Sequence, residues 1–223
     1  MIHTPVMIGW IQLIVFIIVI NNTFLINAQQ CSQRGYCGGV NCPNKNATST
    51  DGVHILDFNL DLLLNVNKAV KIMRTYPGVY TSDGLYVHTT FRYLCCVTTD
   101  ELKNKVFPAL DSIKWEPISL EYEKVICNQD GSIILIANNH TQIAMGQLLK
   151  NFEAAIIKAG VPIVRPRAEQ EIFHITIGTT NSTYPMDIAL NDINKNIKVW
   201  SKPIVVNSFT YFIPAFHHVV SHS

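Results

Sequence analysis

A strand–helix–strand pattern occurs twice in this 223-residue chain, and each copy closes on a strand that contains His-x-Thr. Residues with period-2 alternation predict strands, and apolar residues three to four positions apart predict helices. The blocks are 53–59, 61–74 and 85–96, then 132–137, 141–159 and 171–179. Such alternation predicts a mixed α and β architecture with the helices outside the sheet.

Local signals mark the boundaries of the remaining elements. Thr98 to Glu101 is typical of a helix N-terminus, and the short helix that follows is expected to be disturbed at Pro108. Asp130-Gly131 lies between two β-rich runs, 118–127 and 132–137, and predicts a hairpin. Gly160 is expected to end the long helix. A polar helix over 186–197 and a last strand over 204–213 complete the prediction.

Two histidine–threonine pairs are the candidate catalytic residues. The closing strands contain His88-Thr89-Thr90 and His174-Ile175-Thr176. Because side chains alternate along a strand, each His lies on the same face as its Thr. Chance alone gives about one His-x-[Ser/Thr] in a chain of this composition, so two occurrences are not unusual. The alternative is that both are ordinary strand histidines without a function. Their shared position at the end of each block favours a function.

The sequence around these pairs resembles the 2H phosphoesterase superfamily, in particular its 2′-5′ RNA ligase or RNA 2′,3′-cyclic phosphodiesterase branch. Residues 88–94, His-Thr-Thr-Phe-Arg-Tyr-Leu, resemble the first motif, and 173–177, Phe-His-Ile-Thr-Ile, resemble the second. The resemblance covers roughly residues 52–213. Thr89 stands where the family usually has an aliphatic residue, and Cys95 stands where a Gly is usual.

The resemblance implies an α+β fold: pseudo-twofold duplicated β-α-β units that form two antiparallel sheets around a central cleft, with helices outside. It implies hydrolysis of a 2′,3′-cyclic phosphate without metal or cofactor, giving a 2′-phosphate. His88 and His174 would share the base and acid roles, since imidazole ordinarily titrates near pH ~6.5. Thr90 and Thr176 would donate to the phosphate oxygens. Which histidine is the base stays open, with His174 preferred.

Substrate-binding candidates come from neighbouring residues. Arg92 follows His88 by an even number of residues, so strand alternation predicts that it faces the cleft. A solvated arginine at the end of the strand is the alternative. Tyr86 and Tyr211 are candidates for stacking a nucleobase, with core tyrosines as the alternative. The loop residues Arg165 and Arg167 are weaker phosphate-binding candidates.

The segments outside the phosphoesterase-like domain at 52–215 have simpler interpretations. Residues 1–28 are mostly apolar, contain no Lys, Arg, Asp or Glu, and predict a signal peptide cleaved after Ala28, with an uncleaved membrane anchor as the alternative. Residues 29–51 are expected to form a cysteine-containing N-terminal loop. The His-rich residues 216–223 are expected to be a disordered tail rather than a metal site.

Secretion into an extracellular, oxidising compartment is the expected localisation. All six cysteines follow the leader, and their even number agrees with secretion. The C-x-x-C spacing of zinc sites is absent from 31–42, so disulfides are favoured over a metal knuckle. Three N-glycosylation sequons, at Asn46, Asn139 and Asn181, agree with this setting.

The charge balance narrows the class of ligand. With 17 Lys and Arg against 16 Asp and Glu, the chain lacks the dense positive charge that grips long nucleic acids. The expected ligands are short RNA ends or small cyclic nucleotides, bound by a monomer. Two other hypotheses remain: a secreted nucleotide- or protein-binding module with a retained but inactive cleft, and a disulfide-stapled structural domain.

Overall fold

The computed structural model covers the predicted domain and part of the C-terminal segment. It describes residues 52–55, 58–81, 87–94, 96–128, 131–163, 172–180, 186–213 and 216–221. Several sequence-based predictions lie outside these residues: the leader 1–28, the cysteine loop 29–51, Tyr86, Cys95, Asp130, Arg165, Arg167, Asn181 and His222.

Ten antiparallel strands form two sheets within the described residues. An eight-stranded sheet has the order β10-β9-β1-β3-β7-β6-β5, with β2 also pairing with β7, and β4 and β8 form a separate pair. The strands are β1 (Gly52–Ile55), β2 (Val79–Thr81), β3 (Thr89–Tyr93), β4 (Ile118–Leu120), β5 (Tyr122–Cys127), β6 (Ser132–Ala137), β7 (His174–Thr180), β8 (Ile204–Val206), β9 (Ser208–Ile213) and β10 (Phe216–Ser221).

Four helices complete the described fold. They are α1 (Leu60–Met73), the composite α2, α3 (Asn139–Lys158) and α4 (Met186–Asn196). Helix α2 is α-helical over Thr99–Glu101, π-helical over Leu102–Val106 and α-helical again over Phe107–Asp111. The π turn ends at Val106, two residues before Pro108, which has no N–H to donate to the preceding turn. The disturbance predicted at Pro108 is therefore confirmed.

The predicted α+β class with antiparallel sheets is confirmed. Strands β3 and β7, which close the two predicted blocks, pair with each other in the middle of the large sheet, with Thr89 opposite Ile175. One half of the sheet, β10-β9-β1-β3, therefore meets the other, β7-β6-β5, at the two motif strands. Because an antiparallel pair has local twofold symmetry, this junction relates the two motifs to each other.

Two predicted strands are each divided in the structure. Residues 118–127 divide at Glu121 into β4 and β5, and 204–213 divide at Asn207 into β8 and β9. At Glu121 the backbone N–H donates to Thr141 Oγ1 (3.0 Å) and the carbonyl accepts from Asn138 N–H (2.8 Å). Both backbone groups are thus used by the start of α3, so β4 leaves the large sheet and pairs with β8.

The predicted turn and helix end are present at Gly131 and Gly160. Gly131 has a φ of +82°, and a Cβ there would lie 2.7 Å from the carbonyl oxygen of Thr180. Gly160, with a φ of +78°, follows α3 in the left-handed conformation that glycine adopts at low cost.

The prediction of a disordered tail is wrong for Phe216–Ser221. These residues form β10, which pairs with β9 from Phe216 opposite Ile213 to Ser221 opposite Ser208. The sheet therefore extends beyond residue 215, because the edge of β9 offers unpaired backbone groups to the returning chain.

Phenylalanines beside each motif anchor the two strands in the core. Phe91 is fully buried and its ring lies 4.9 Å from that of Phe152 on α3 and 4.4 Å from that of Phe209 on β9. Phe173, directly before His174, stacks against Phe91 with ring centroids 6.0 Å apart. Packing of these rings holds the two motif strands against the same helix.

Candidate functional site

The pairing of β3 with β7 brings the four predicted catalytic residues onto one face of the sheet. Thr89 and Ile175 are direct partners and both are buried on the core side. Continuing this antiparallel register by one residue in each direction sets His88 opposite Thr176 and Thr90 opposite His174. These four residues are half-buried and alternate with the buried pair. We call the side of the sheet that they share the site face.

The spacing of the four residues follows from strand geometry. Directly opposite residues have Cβ atoms about 4.5–5.5 Å apart, and diagonal neighbours are about 7–8 Å apart. His88 and His174 are diagonal neighbours, with Thr90 and Thr176 completing the rectangle. Two imidazoles at this separation can each reach one side of a phosphate within a hydrogen-bond distance of about 3 Å. The arrangement can therefore supply one proton acceptor, one proton donor and two hydroxyls around one phosphate.

The ring of His174 is held by a backbone carbonyl. Its Nδ1 lies 2.7 Å from the carbonyl oxygen of Ile172. A carbonyl oxygen only accepts, so Nδ1 carries the hydrogen and donates it. In the neutral ring the lone pair is then on Nε2, the nitrogen available to accept a proton.

Tyr93 joins the site face, a placement that sequence parity does not indicate. Thr90 Oγ1 donates to the Tyr93 hydroxyl at 3.1 Å. Between β1 and β3 the register shifts: His54 is opposite Thr90 while Val53 is opposite Arg92. The extra residue on β3 at this bulge reverses the alternation after Thr90. A bulge has no clear signal in one sequence, which explains why Tyr93 is not found by pattern.

The same bulge makes the placement predicted for Arg92 wrong. Arg92 lies opposite the buried Val53, is only 6% exposed, and its Nε lies 3.1 Å from Glu153 Oε1 on α3. Its side chain therefore belongs to the core side of the sheet, where the ion pair ties β3 to α3.

The prediction of Tyr211 as a base-stacking residue is also wrong. Tyr211, on β9, is 0% exposed and lies opposite Val53 of β1. Its ring packs edge to face against that of Phe107, with ring centroids 5.1 Å apart. It is a core tyrosine, the alternative that the sequence left open. Tyr86, Arg165 and Arg167 lie outside the described residues.

Thr89, the departure from the family motif, has a partner in the core. Its hydroxyl is fully buried and lies 2.5 Å from the hydroxyl of Tyr122 on β5. Burial raises the pKa of Tyr122 far above its ordinary value, and the hydrogen bond to Thr89 only partly offsets this. Tyr122 is therefore a neutral phenol that satisfies the hydroxyl of Thr89 directly behind the site face.

The described residues form neither a cluster of metal ligands nor a membrane-spanning helix. Among the described residues, no three His, Cys, Asp or Glu side chains are grouped closely enough to hold a metal ion. No helix in the described part of the chain has the length and apolar character needed to cross a bilayer.

Comparison with known proteins identifies the fold. No family model matches the sequence, and no curated protein matches it. Solved structures do match: LigT from E. coli in complex with NADP+ has a TM-score of 0.53 at 12% identity, covering 78% of this chain and 96% of LigT. Usb1 from Kluyveromyces marxianus has a TM-score of 0.50 at 11% identity, covering 80% of this chain and 99% of Usb1. A protein described as a phosphoesterase has a TM-score of 0.52 at 11% identity, covering 78% and 95%. These neighbours are 2H phosphoesterases, and the chain has their fold.

Proposed function

We propose that this protein is a metal-independent phosphodiesterase that hydrolyses 2′,3′-cyclic phosphates of short RNA ends or small nucleotides. The observation that carries the proposal is the pairing of Thr89 with Ile175. That register brings His88, Thr90 and their counterparts His174 and Thr176 onto one face as two cross-strand pairs. The shared 2H phosphoesterase fold supports the general class of reaction.

In the proposed mechanism His174 is the general base. Its Nδ1–H is held by Ile172, so Nε2 accepts a proton from water, whose oxygen then attacks phosphorus. The bond from phosphorus to the ribose 3′-oxygen breaks, and protonated His88 donates its proton to that oxygen. One water is consumed and a 2′-phosphate forms. Exchange with solvent returns both imidazoles to their starting states.

The two threonines stabilise the charge that develops on the phosphate. Hydroxyls of Thr90 and Thr176 donate to the non-bridging oxygens, where negative charge increases in the transition state. For this role Thr90 turns its hydrogen from Tyr93 to the phosphate, and the Tyr93 hydroxyl in turn donates to Thr90 Oγ1. No cofactor takes part in the proposed reaction.

Small nucleotides are the proposed substrates because the net charge of the chain is only +1. The neighbours with this fold have been solved with nucleotides: LigT with NADP+ and, at a TM-score of 0.51, with ATP.

We further propose that the protein acts outside the cell as a monomer, which rests on the apolar leader 1–28, the six cysteines and the sequons.

The direct test is hydrolysis of the four nucleoside 2′,3′-cyclic monophosphates in EDTA, with separation of the 2′- and 3′-phosphate products by chromatography. Turnover should survive EDTA and fall by about 10²–10⁴-fold in His88→Ala and in His174→Ala. His140→Ala, which changes an exposed histidine at the start of α3, is the matched control and should keep full activity. Loss of turnover in EDTA, or full activity in either motif variant, contradicts the mechanism. Nucleotide binding without turnover favours the inactive binding module.

A further inference from the structure

A side-chain amide holds the backbone that leads into the second motif. Gln142 lies in the first turns of α3 and is half-buried. Its Oε1 accepts from the N–H of Phe173 at 2.8 Å, and its Nε2 donates to the carbonyl of Phe173 at 2.9 Å. Nε2 also donates to the carbonyl of Ala137 at 3.1 Å. Gln142 therefore binds both backbone groups of the residue that directly precedes His174.

This amide takes the place of a missing bond in the β6–β7 ladder. Ala137 and Phe173 are the next positions after the last pair, Ile136 with His174. Ala137 N–H donates to the Phe173 carbonyl at 3.0 Å, as in a regular antiparallel pair. The return bond, from Phe173 N–H to the Ala137 carbonyl, is replaced by the carboxamide of Gln142, which bonds to both groups. The end of the ladder is thus closed by a side chain from α3.

The peptide group that Gln142 binds is the one that orients His174. The N–H of Phe173 and the carbonyl of Ile172 belong to the same planar peptide unit. Gln142 Oε1 accepts from one end of this unit, and His174 Nδ1 donates to the other end at 2.7 Å. A hydrogen bond accepted from the N–H polarises the carbonyl of the same amide, so the two bonds strengthen each other.

We propose that Gln142 is a positioning residue for His174: by holding the Ile172–Phe173 peptide plane, it keeps the hydrogen on Nδ1 and leaves Nε2 to accept a proton. This inference rests on the proposed function for its catalytic consequence, since His174 is the general base there. Its structural consequence, the tautomer of His174, does not depend on activity. Gln142 itself does not reach the site face through any contact described above.

The test replaces the amide without shortening the side chain. Gln142→Met removes all three hydrogen bonds, whereas Gln142→Glu keeps an acceptor for Phe173 N–H but loses the donor. Gln147→Met is the matched control because Gln147 is exposed on the same helix. We expect kcat to fall by about 10–100-fold in Gln142→Met, the range seen for residues that orient metal-ligating histidines, with KM changed less than about twofold. Gln142→Glu should lose less, and the control should lose nothing.

The readout that separates positioning from general destabilisation is the histidine ring itself. Two-bond ¹H–¹⁵N correlation spectra distinguish a ring protonated on Nδ1 from one protonated on Nε2, and His174→Ala assigns the signals. We expect the wild type to show His174 with hydrogen on Nδ1 at high pH and Gln142→Met to show a mixture. His140 provides an internal reference in every spectrum.

Each outcome decides the inference. A wild-type His174 with hydrogen on Nε2 overturns it even if no variant folds. A folded Gln142→Met protein, verified by its melting curve, with unchanged tautomer and unchanged kcat also overturns it. If Gln142→Met does not fold, Gln142→Glu, which keeps only the acceptor for Phe173 N–H, should keep the hydrogen of His174 on Nδ1, and a mixture of tautomers in that variant overturns the inference. A tautomer change in a protein without phosphodiesterase activity supports the positioning role and counts against the proposed function, so the two failures are distinguishable.

Discussion

The two motif strands occupy twofold-related positions in the sheet, yet they are supported from opposite directions. On β7 the support comes before the motif, where Gln142 binds Phe173 and the Ile172 carbonyl holds the ring of His174. On β3 the described support comes after it, where a bulge lets Tyr93 bond to Thr90 while Arg92 turns to the core side. The described contacts therefore differ between the two motifs, and they include a ring contact that fixes the tautomer of His174, the residue assigned as the base.

The largest expected effects come from replacing the two histidines. A substrate whose leaving group needs no general acid distinguishes the role of His88 from that of His174. If His174 is the base and His88 the acid, a p-nitrophenyl phosphodiester of a nucleoside should be cleaved by His88→Ala with a loss below about tenfold. The same variant should lose about 10³-fold on the cyclic phosphate, and His174→Ala should lose about that much on both substrates. Initial rates on the two substrates measure this. The reverse pattern would assign the base to His88.

Removal of one threonine hydroxyl should have the next largest effect. Thr176→Val and Thr90→Val keep the shape of the side chain but lose the donor, so kcat should fall by about 10²-fold in each. Serine at either position should retain most of the activity. Thr99→Val, at an exposed position at the start of α2, is the control. An unchanged kcat in Thr176→Val would contradict the role given to that hydroxyl.

The variant Arg92→Met tests whether the bulge places the Arg92 side chain on the core side of the sheet. Arg92→Met leaves Glu153 without this ion pair, and because Glu153 is 25% exposed, the loss of unfolding free energy should lie between about 1 kcal/mol, as for an exposed pair, and about 3 kcal/mol, as for a buried one. Arg92→Met combined with Glu153→Met should recover part of this loss. In the folded variant kcat and KM should stay unchanged, because the side chain lies behind the site face.

Chemical denaturation measures the stability of these variants, and nucleotide hydrolysis measures their activity. Lys124→Met, which removes an exposed pair with Glu123, should cost no more than about 1 kcal/mol. A raised KM with unchanged stability in Arg92→Met would instead place Arg92 at the substrate.

The smallest expected effect concerns the helix that follows β3. Glu101 accepts hydrogen bonds from the N–H and the hydroxyl of Thr98, each at 2.9 Å, and these bonds lower the pKa of its carboxyl. Because the folded pKa is below the unfolded one, the resulting stability is present above about pH 4.3 and is lost as the pH falls through the lowered folded value.

The difference in melting temperature between wild type and Glu101→Gln should therefore shrink as the pH falls from 7 to about 3. Glu116→Gln, at an exposed position after α2, is the control. A difference that stays constant over this range would show that the charge of Glu101 does not contribute.

Most elements are predictable from local patterns, whereas pairing partners are not. The stripe of α1, the capping box at Thr98 and the hairpin glycine Gly131 are all present where the sequence indicates them. The divided strands at Glu121 and Asn207 are not predictable, because each half has the same β-rich composition and only the helix N-terminus at Asn138 and Thr141 separates β4 from β5. The strand β10 was missed because it depends on a free edge of β9.

For the candidate site, the sequence by itself determined the two His-x-Thr pairs and the parity within each, because alternation along a strand is a local property. Only the tertiary structure decided that β3 and β7 are neighbours, that one bulge exchanges Arg92 for Tyr93 on the site face, and that Gln142 holds the peptide behind His174. Register, bulges and side-chain bonds to distant backbone depend on contacts between residues far apart in the chain. Those contacts are set by packing of the whole core and leave no local signal.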